Sequence, residues 1–348
     1  MTMKQEDIAL LQQIPVPLLR WYATHKRDLP WRKNATPYHV WVSEIMLQQT
    51  RVEAVIEYYN RFISALPTVY DLADCEEEKL LKLWEGLGYY NRVRNMQKTA
   101  KVIAYSLNGE FPQDVASLQD LKGIGRYTAG AISSIAFGKP VSAVDGNVLR
   151  VVARLLENPT PINDTNYRKQ LDDVLSSIYP KAKKDCANFT QSLFELGATV
   201  CKPKGVDCTL CPLAGICLSY KNNTQHLYPV RPKQREKRRE EVYVFLLQTP
   251  QGFCITRRNE GVLKGMNAFP SFIINNGESV DLALSSFGIY DYQIIRQGNF
   301  EHIFTHIQWD IICLYIQTES APFDCYTLSE IQENLSIPTA FKQCLKLL

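Results

Sequence analysis

Two glycines, Gly123 and Gly125, are the feature that most constrains how this chain can fold. Residues 121–125 read LKGIG, and residues 126–137 after them are small and apolar enough to form a buried helix. Glycine permits positive φ and lets the backbone of another molecule approach closely, so amides at the start of the second helix can face a phosphate. The stretch predicts a helix, a glycine-rich hairpin and a second helix, with Lys122, Gly123 and Gly125 as candidate nucleic-acid contacts.

A lone carboxylate follows this hairpin. Asp145 lies 20 residues after Gly125, in the run Val144-Asp145-Gly146-Asn147, and a further helical segment begins just after it. A phosphate-binding hairpin followed by a carboxylate suggests chemistry on DNA. An ordinary glycine-rich turn between core helices is the alternative when Gly-x-Gly is taken alone.

A second candidate acid, Glu44, lies in the run Ser-Glu-Ile-Met-Leu-Gln-Gln-Thr-Arg-Val. Thr36 and Pro37 supply an N-cap and a first-turn proline, which predicts a helix from this point through residue 52. On that helix Glu44 would share a face with Leu47 and Gln48. An exposed Glu44 without a role is the alternative.

Composition narrows the class of protein. With 348 residues, 45% hydrophobic and 22% charged, the chain has the length of two or more domains and the composition of a globular protein. Its net charge is only +3, so any binding of nucleic acid depends on where individual Lys and Arg residues lie rather than on overall charge. The sequence has no segment of signal-peptide type and no apolar run approaching the ~18 residues of a membrane helix. We therefore expect an intracellular, reducing location in the cytoplasm, associated with the nucleoid, and no membrane partner.

Four of the ten cysteines crowd into one short segment. Cys201, Cys208, Cys211 and Cys217 are separated by six, two and five residues. Such clustering favours a metal site over a disulfide framework, and zinc is the usual occupant of four cysteines.

The pattern of elements changes along the chain. Residues 1–225 are predicted to be helical throughout, including one helix over about 7–25. Residues 226–240 are basic and contain proline, which indicates a linker; a solvated connector is favoured there over a specific binding arm. Residues 241–348 alternate like strands with one helix near 280–287, which predicts an α+β domain.

Together these motifs resemble the helix-hairpin-helix DNA glycosylases and, among them, the MutY-type adenine glycosylases, over nearly the whole chain. The resemblance implies a mainly α N-terminal region with the glycosylase fold and an iron–sulfur cluster loop, followed by an α+β, Nudix-like C-terminal domain. It places the hairpin-bearing module at about 32–137 and the cluster module in the N-terminal helix plus 138–225. It also implies that the four cysteines hold one 4Fe-4S cluster rather than zinc.

The resemblance further implies roles for individual residues. Breaking an N-glycosidic bond requires a proton for the departing base and a negative charge near the sugar cation, as in sugar hydrolysis. Glu44 would supply the proton and Asp145 the charge, with Tyr127 and Asn147 beside them. Adenine-pocket positions match Arg27, Trp31, Leu47, Val52 and Gln191, with Gln48 next to Glu44. Gln49 and Tyr89 match residues that wedge into the duplex, and Phe304, Thr305 and His306 match a loop that reads 8-oxoguanine, where relatives generally carry Phe-Ser-His.

The expected partner is double-stranded DNA containing adenine opposite 8-oxoguanine or guanine, bound by a monomer. Three alternatives stay open. The first is a bifunctional glycosylase and strand nickase of the endonuclease III type, although Tyr127 stands where that branch has its nucleophilic lysine. The second is a non-catalytic DNA-binding protein. The third, nucleotide hydrolysis by the C-terminal domain, is disfavoured because residues 277–288 lack the glutamate pairs of a metal-binding Nudix box.

Overall fold

The computed structural model describes residues 3–232, 236–275 and 277–348. The chain divides into two compact units: unit 1 comprises residues 1–74 and 95–233, and unit 2 comprises residues 75–94 and 234–348. Packing therefore does not follow chain order, because residues 75–94 belong with the C-terminal part. Residues 233–235 of the predicted linker lie outside the described residues.

Helices make up most of the chain before residue 225. Two π-helical turns cover Val102–Ser106 and Ile132–Ala136. Short 3-10 turns cover Cys208–Leu210, Ala214–Ile216, Gln225–Leu227 and Gln343–Leu347. The α-helices are α1 (Gln5–Leu11), α2 (Pro15–His25), α3 (Pro30–Lys33), α4 (Pro37–Leu47), α5 (Val52–Ala65), α6 (Val69–Asp74), α7 (Glu77–Trp84), α8 (Asn91–Lys101), α9 (Val115–Gln119), α10 (Arg126–Ala131), α11 (Gly146–Leu155), α12 (Thr165–Ser177), α13 (Lys183–Thr199), α14 (Leu218–Asn222), α15 (Val280–Ser286), α16 (Leu328–Asn334) and α17 (Thr339–Lys342).

Two predicted helices are each split into two. The helix predicted over 7–25 is interrupted before Pro15, which begins α2 because proline lacks the N–H that a helix interior needs. The helix predicted through residue 52 ends at Leu47, and α5 begins at Val52. Gln48 is therefore not part of a helical face shared with Glu44, although α4 starts as predicted, with the Thr36 side chain accepting a hydrogen bond from the His39 N–H at 3.3 Å.

A hydrophobic core in unit 1 joins α1 and α2 to α11, α12 and α13. Its fully buried members include Leu18, Val148, Leu171, Phe189 and Leu193. Burying side chains of this size contributes about 1.5–3 kcal/mol each. This core fixes α11 and α13, the two helices that border the site described below.

The described residues of unit 2 form one mixed sheet of seven strands. The strands are β1 (Arg238–Thr249), β2 (Gly252–Arg257), β3 (Asn267–Ala268), β4 (Ser271–Ile274), β5 (Gln293–Ile303), β6 (Ile307–Gln317) and β7 (Asp324–Tyr326). Their order is β3-β2-β1-β6-β5, with β4 paired to β1 and β7 paired to β2. The central pair, β1 and β6, is parallel, and β5 and β6 form an antiparallel hairpin.

Both faces of the sheet are covered. On one face Val244, Trp309 and Ile311 pack with Phe341 of α17. On the other, Phe245 and Leu314 pack with Leu284 of α15. This alternation along β1 and β6 is the period-two pattern expected of strands buried on both sides. The α+β composition predicted for this domain and the helix near 280–287 are confirmed, whereas α16 and α17 were not predicted.

Within unit 2, α7 is held by polar contacts to the C-terminal segment. The Lys82 ammonium donates to the Gln332 and Leu335 carbonyls at 2.6 and 2.9 Å, and the Glu85 carboxylate accepts from the Ile337 N–H at 3.0 Å. These bonds satisfy backbone groups at the end of α16, where no intrahelical partner exists. In the part of the chain that the structure describes, no helix combines the length and the apolar character required to cross a membrane.

Candidate active site

A cavity of about 720 Å³ in unit 1 brings together most of the predicted site residues. It lies between α4, α13 and the N-terminus of α11. The predicted residues that line it are Arg27, Trp31, Glu44, Leu47, Gln48, Gln49, Val52, Tyr127, Asp145, Asn147 and Gln191. Segments from both ends of unit 1's sequence therefore converge on one space large enough for a nucleobase and its sugar.

Glu44 is a buried acid in this cavity. It lies near the end of α4, which is buried on all sides from Val40 to Met46, and only 4% of its surface is exposed. This burial excludes the alternative of an exposed Glu44. Burial raises the pKa of Glu44 to about 7; a hydrogen bond donated by the Tyr127 hydroxyl opposes the shift and the negative charge of Asp145 adds to it. Glu44 can therefore hold a proton near neutral pH.

The Asp145 carboxylate has more hydrogen-bond donors around it than Glu44 has. Asp145 is the N-cap of α11, and its carboxylate accepts hydrogen bonds from the Val148 N–H at 2.8 Å and from the Asn147 amide at 2.7 Å. Burial raises the pKa of Asp145 above its ordinary value, and these two bonds and the nearby Arg150 guanidinium offset only part of that rise. The helix N-terminus also favours a negative charge at this position. Of the two acids, Asp145 has the surroundings that stabilise an anion.

Arg150 fixes the Asn147 side chain. Its guanidinium donates to the Asn147 side-chain carbonyl, to the Gly197 carbonyl and to the Cys201 carbonyl, each at 2.8 Å. Glycine is required at 197, because a Cβ there would lie 2.5 Å from the Asn147 Cβ. With its oxygen held by Arg150, Asn147 presents its NH₂ to Asp145. Arg150 was not predicted, because two of its partners, Gly197 and Cys201, are distant in sequence.

A buried ion cluster forms another wall of the cavity, and its central residue, Glu195 of α13, was also not predicted. Glu195 is fully buried; it accepts from Arg27 at 2.7 Å and from Arg32 at 2.6 Å. Burial raises the pKa of Glu195, but the hydrogen bonds and charges of Arg27 and Arg32 outweigh it, so the pKa lies below its ordinary value. The sequence signals are a lone glutamate in an apolar helix and two arginines in a loop, but their pairing spans more than 160 residues.

The hairpin has the predicted form. Gly123 adopts φ +84°, and the Thr99 hydroxyl donates to the Lys122 carbonyl at 2.7 Å. A Cβ at Gly125 would meet nothing within 4 Å, so the start of α10 lies open on that side. The hairpin residues do not line the cavity; they form a separate surface of unit 1.

The two predicted wedge residues share an uncommon backbone conformation. Gln49, between α4 and α5, has φ +62°, and Tyr89, before α8, has φ +48°. Non-glycine residues held at positive φ are strained, and such residues concentrate at functional sites. Gln49 lines the cavity of unit 1, whereas Tyr89 belongs to unit 2.

In unit 2, Tyr89 contacts the predicted lesion-reading loop. Tyr89 is 48% exposed, and its hydroxyl lies 2.8 Å from the Thr305 hydroxyl. Residues 304–306 form the tip of the β5–β6 hairpin. Thr305 and His306 are exposed there, whereas Phe304 packs edge-on against Trp309 at 4.9 Å between ring centroids. Only Thr305 and His306 of this predicted triad point outward.

The four clustered cysteines line one further cavity in unit 1, together with Arg154, Tyr220 and Gln225. Arg154 donates to the Cys201 sulfur at 3.4 Å, and Gln225 lies 3.8 Å from the Cys208 sulfur. Among the described residues, no group of three or more His, Cys, Asp or Glu side chains converges closely enough to hold a metal ion. The structure thus brings the four cysteines to one cavity beside a guanidinium, whose positive charge would stabilise thiolates there.

Two known protein families match separate parts of the chain. Residues 42–177 match the HhH-GPD superfamily of base excision DNA repair proteins, and residues 242–347 match the NUDIX domain. The structure of a thermostable thymine-DNA glycosylase is similar with a TM-score of 0.55 and 26% identity, covering 62% of this chain and 98% of that one. A non-covalent endonuclease III–DNA complex matches with a TM-score of 0.51 and the same identity and coverage. The predicted fold class is confirmed.

Individual relatives define the family. The adenine DNA glycosylase of Arabidopsis thaliana is 36% identical over 85% of this chain and 56% of its own length, and that of Homo sapiens is 42% identical over 61% and 40%. The chain thus spans about half the length of these two relatives. The adenine DNA glycosylase of Buchnera aphidicola subsp. Baizongia pistaciae is 36% identical over 83% of this chain and 82% of its own length. This chain therefore belongs to the adenine DNA glycosylases, enzymes of the HhH-GPD superfamily of base excision DNA repair proteins.

Proposed function

We propose that the protein is a monofunctional glycosylase that hydrolyses the N-glycosidic bond of adenine paired with 8-oxoguanine, or with guanine, in double-stranded DNA. The observation that carries the proposal is Glu44. It is a buried acid with a pKa of about 7, it accepts a hydrogen bond from Tyr127, and it lies in the same cavity as Asp145. A proton donor and an anion facing one nucleoside-sized space are what glycosidic hydrolysis needs.

The two acids have different roles in the reaction because their surroundings differ. Glu44 donates its proton to the adenine as the bond to the sugar breaks, and the resulting carboxylate then accepts a proton from the attacking water. Asp145, held by the Val148 N–H and the Asn147 amide, stays ionised and stabilises the positive charge on the sugar. Because an ionised Asp145 raises the pKa of Glu44, each acid favours the protonation state that the other requires.

Tyr127 supports hydrolysis over strand nicking. A phenol cannot form an imine with the sugar, so the lyase chemistry of a nucleophilic lysine has no counterpart at this position. Its hydroxyl instead donates to Glu44, and burial together with the neighbouring carboxylates raises the pKa of Tyr127, which keeps the phenol neutral. The role of Tyr127 is to hold the Glu44 carboxyl in place.

Around this centre, the adenine would lie against Trp31, Leu47 and Val52, with Gln191 and Gln48 offering amides to its polar edge. Removing a base from the duplex costs a few kcal/mol. Tyr89 would offset part of this cost by stacking on a base, because stacking on an aromatic ring contributes about 1–3 kcal/mol per base. Gln49, at the edge of the cavity in unit 1, would insert its amide side chain into the duplex. The amides of the hairpin over 122–125 would hold a backbone phosphate.

Cys201, Cys208, Cys211 and Cys217 would hold one 4Fe-4S cluster, which would tie the loop into a fixed shape. Lys202, Lys204 and Lys221 would then form a basic surface towards DNA. The cluster would affect base release only through DNA binding and through the Arg150 contact to the Cys201 carbonyl. Anaerobically purified protein should contain iron and acid-labile sulfide, and zinc without sulfide would contradict this assignment.

The Nudix-like domain would recognise the lesion rather than hydrolyse a nucleotide. The Thr305 hydroxyl can bond to the polar groups that oxidation adds to guanine, and His306 lies beside it on the hairpin tip. Phe304 would anchor the hairpin tip to β6 through its contact with Trp309. The expected form in solution is a monomer, and the expected location is an intracellular reducing compartment.

One experiment separates this function from its rivals. Base release should be measured on duplexes holding adenine opposite 8-oxoguanine, adenine opposite guanine, and oxidised pyrimidines. We expect release from the first two only, and no covalent protein–DNA adduct when borohydride is added. Release of oxidised pyrimidines with abundant adduct would favour the endonuclease III-type alternative, and binding without any release would favour a non-catalytic DNA-binding protein.

A further inference from the structure

The first residues of the predicted linker are built into unit 1 rather than solvated. The Tyr228 carbonyl accepts a hydrogen bond from the Arg154 guanidinium at 3.0 Å, and the Val230 carbonyl accepts one from the Ile162 N–H at 3.1 Å. Unit 1 thus fixes the backbone carbonyls on either side of Pro229. As a result, Pro229 and Arg231 line the cavity that holds Glu44 and Asp145.

A second arginine reaches the same place from α12. Arg168 donates from its Nε to the Ile162 carbonyl at 2.9 Å and also lines the cavity. The Ile162 backbone therefore positions both arginines: its N–H donates to Val230, next to Arg231, and its carbonyl accepts from Arg168. The charge of Arg231 is close enough to Arg150 to act on its pKa, in the direction of lowering it.

These two arginines differ from the others around the cavity. Arg27 and Arg32 are paired with the buried Glu195, and Arg150 bonds to Asn147 and to two carbonyls. Arg168 and Arg231 are exposed, and among the described residues neither forms a salt bridge with a carboxylate. They leave guanidinium N–H groups available at the cavity rim, where a guanidinium can bind a phosphate through two parallel bonds.

We propose that Arg168 and Arg231 form a phosphate site at the cavity rim that binds the DNA backbone next to the extruded nucleotide. The inference rests on the proposed function, because only a nucleotide entering this cavity brings its own phosphate to the rim. The start of the linker then acts as a binding arm as well as a connection. Arg168 and Arg231 are positioning residues: they hold the strand and do not touch the bond that breaks.

The test removes the charge from either side of the contact. Full-length wild-type protein and the variants R168Q, R231Q and R168Q/R231Q bind a duplex with 2′-fluorinated deoxyadenosine, which resists hydrolysis, opposite 8-oxoguanine. In matched duplexes a neutral methylphosphonate replaces the phosphate on the 5′ or the 3′ side of that nucleotide. Kd is measured over a range of salt concentrations, and thermal unfolding confirms that each variant is folded.

We expect one of the two methylphosphonates to weaken wild-type binding on the order of tenfold, with a similar loss in R168Q/R231Q on the natural duplex. The double variant should not respond to that methylphosphonate, and its salt slope should fall by about 1, the value for one lost phosphate contact. R168K and R231K keep the charge but cannot form two parallel bonds to a phosphate, so they should recover only part of the affinity. K169Q, which changes an exposed neighbour of Arg168 on the same helix, should behave as wild type.

Equal sensitivity of the double variant and the wild type to both methylphosphonates would overturn the phosphate site, as would a wild type insensitive to both. The same loss in K169Q would also overturn it, because the effect would then be one of general charge. Base release from the unmodified duplex is read separately. If the wild type releases no adenine, the proposed function fails, whatever the binding data give.

Discussion

The cavity in unit 1 and the hydroxyl pair in unit 2 are built on opposite principles. The cavity contains three buried carboxylates that already have hydrogen-bond partners: Glu44 bonds to Tyr127, Asp145 to the Asn147 amide, and Glu195 to two arginines. The hydroxyl pair consists of two neutral groups, Tyr89 and Thr305, in an exposed position. The first arrangement suits chemistry and the second suits discrimination between similar bases.

The physical reason for the difference is solvent. Charges in a buried, low-dielectric site act strongly on one another, so changing one alters the protonation or the stability of the rest by several kcal/mol. An exposed hydroxyl pair exchanges its bond with water and contributes about 0.5–1.5 kcal/mol. We therefore expect substitutions in the cavity to stop the reaction and substitutions at Thr305 to adjust its selectivity.

The largest effects should come from the two acids. E44Q keeps the size and polarity of the side chain but cannot donate a proton, and D145N removes the anion; each should lower single-turnover adenine release about 10³-fold or more. Duplex affinity should stay within about threefold of wild type. E57Q, an exposed site on α5, is the matched control. Near-wild-type release by either variant would remove that residue from the mechanism.

Removing the buried charge of Glu195 should have the next largest effect. In E195Q, Arg27 and Arg32 lose the carboxylate that pairs with both, and we expect a loss of about 3–5 kcal/mol in the free energy of unfolding together with slower base release. E53Q is a stringent control, because Glu53 lies 3.8 Å from the same Arg27 but is 77% exposed. Its effect should stay below about 1 kcal/mol. Equal denaturation curves for the two variants would show that burial is not the deciding factor.

The pH dependence of base release should follow Glu44. The acid acts only when protonated, and burial raises its pKa to about 7. The single-turnover rate should therefore be high below pH 7 and fall about tenfold per unit above it, as the protonated fraction falls. A rate that is constant from pH 6 to 9 would mean that Glu44 is not the proton donor.

The free energy of unfolding should also depend on pH through Glu44. Because the pKa of Glu44 is raised from 4.5 to about 7 in the folded state, the folded protein binds the extra proton, and this contribution is present below pH 4.5 and lost as pH rises through 7. It amounts to at most about 3 kcal/mol. Chemical denaturation of wild type and E44Q at pH 5 and pH 8 measures it: E44Q should gain stability relative to wild type at the higher pH.

The sequence predicted the parts of this site that depend on local signals. The Thr36 cap, the glycines of the hairpin and the clustered cysteines each act over a few residues, and the structure forms α4, the turn and a shared cysteine cavity where they were expected. Glu44 and Asp145 could be singled out because each lies beside such a signal, but their meeting in one cavity depends on contacts between distant parts of the chain. Their pairing with Tyr127 and Asn147 came from family resemblance rather than from spacing.

What could not be predicted depends on distant contacts. Glu195 meets Arg27 and Arg32 across more than 160 residues, and nothing in the local sequence of α13 specifies those partners. The break between α4 and α5 requires Gln49 at positive φ, a conformation that glutamine rarely adopts and sequence does not signal. The membership of residues 75–94 in unit 2 depends on bonds such as Lys82 to Leu335, made across about 250 residues.

The smallest predicted effect concerns Tyr89 and Thr305, and it tests whether unit 2 adjusts selectivity alone. Removing residues 236–348 would not be a clean experiment, since α7 and Tyr89 would lose their contacts as well. Point variants avoid this problem: T305V removes the hydroxyl at constant shape, Y89F keeps the ring, and T305S keeps the hydroxyl.

The quantity to measure is the ratio of single-turnover rates for adenine opposite 8-oxoguanine and opposite guanine. Y89F should lower this ratio about twofold and T305V about fivefold, because T305V removes both the bond to Tyr89 and the proposed bond to the lesion. The double variant should lose no more than T305V, whereas T305S and Y290F, a tyrosine in unit 2 that is 79% exposed, should match wild type. An unchanged ratio in T305V would assign lesion reading to Gln49 and the ring of Tyr89, and additive losses in the double variant would mean that the two hydroxyls act independently.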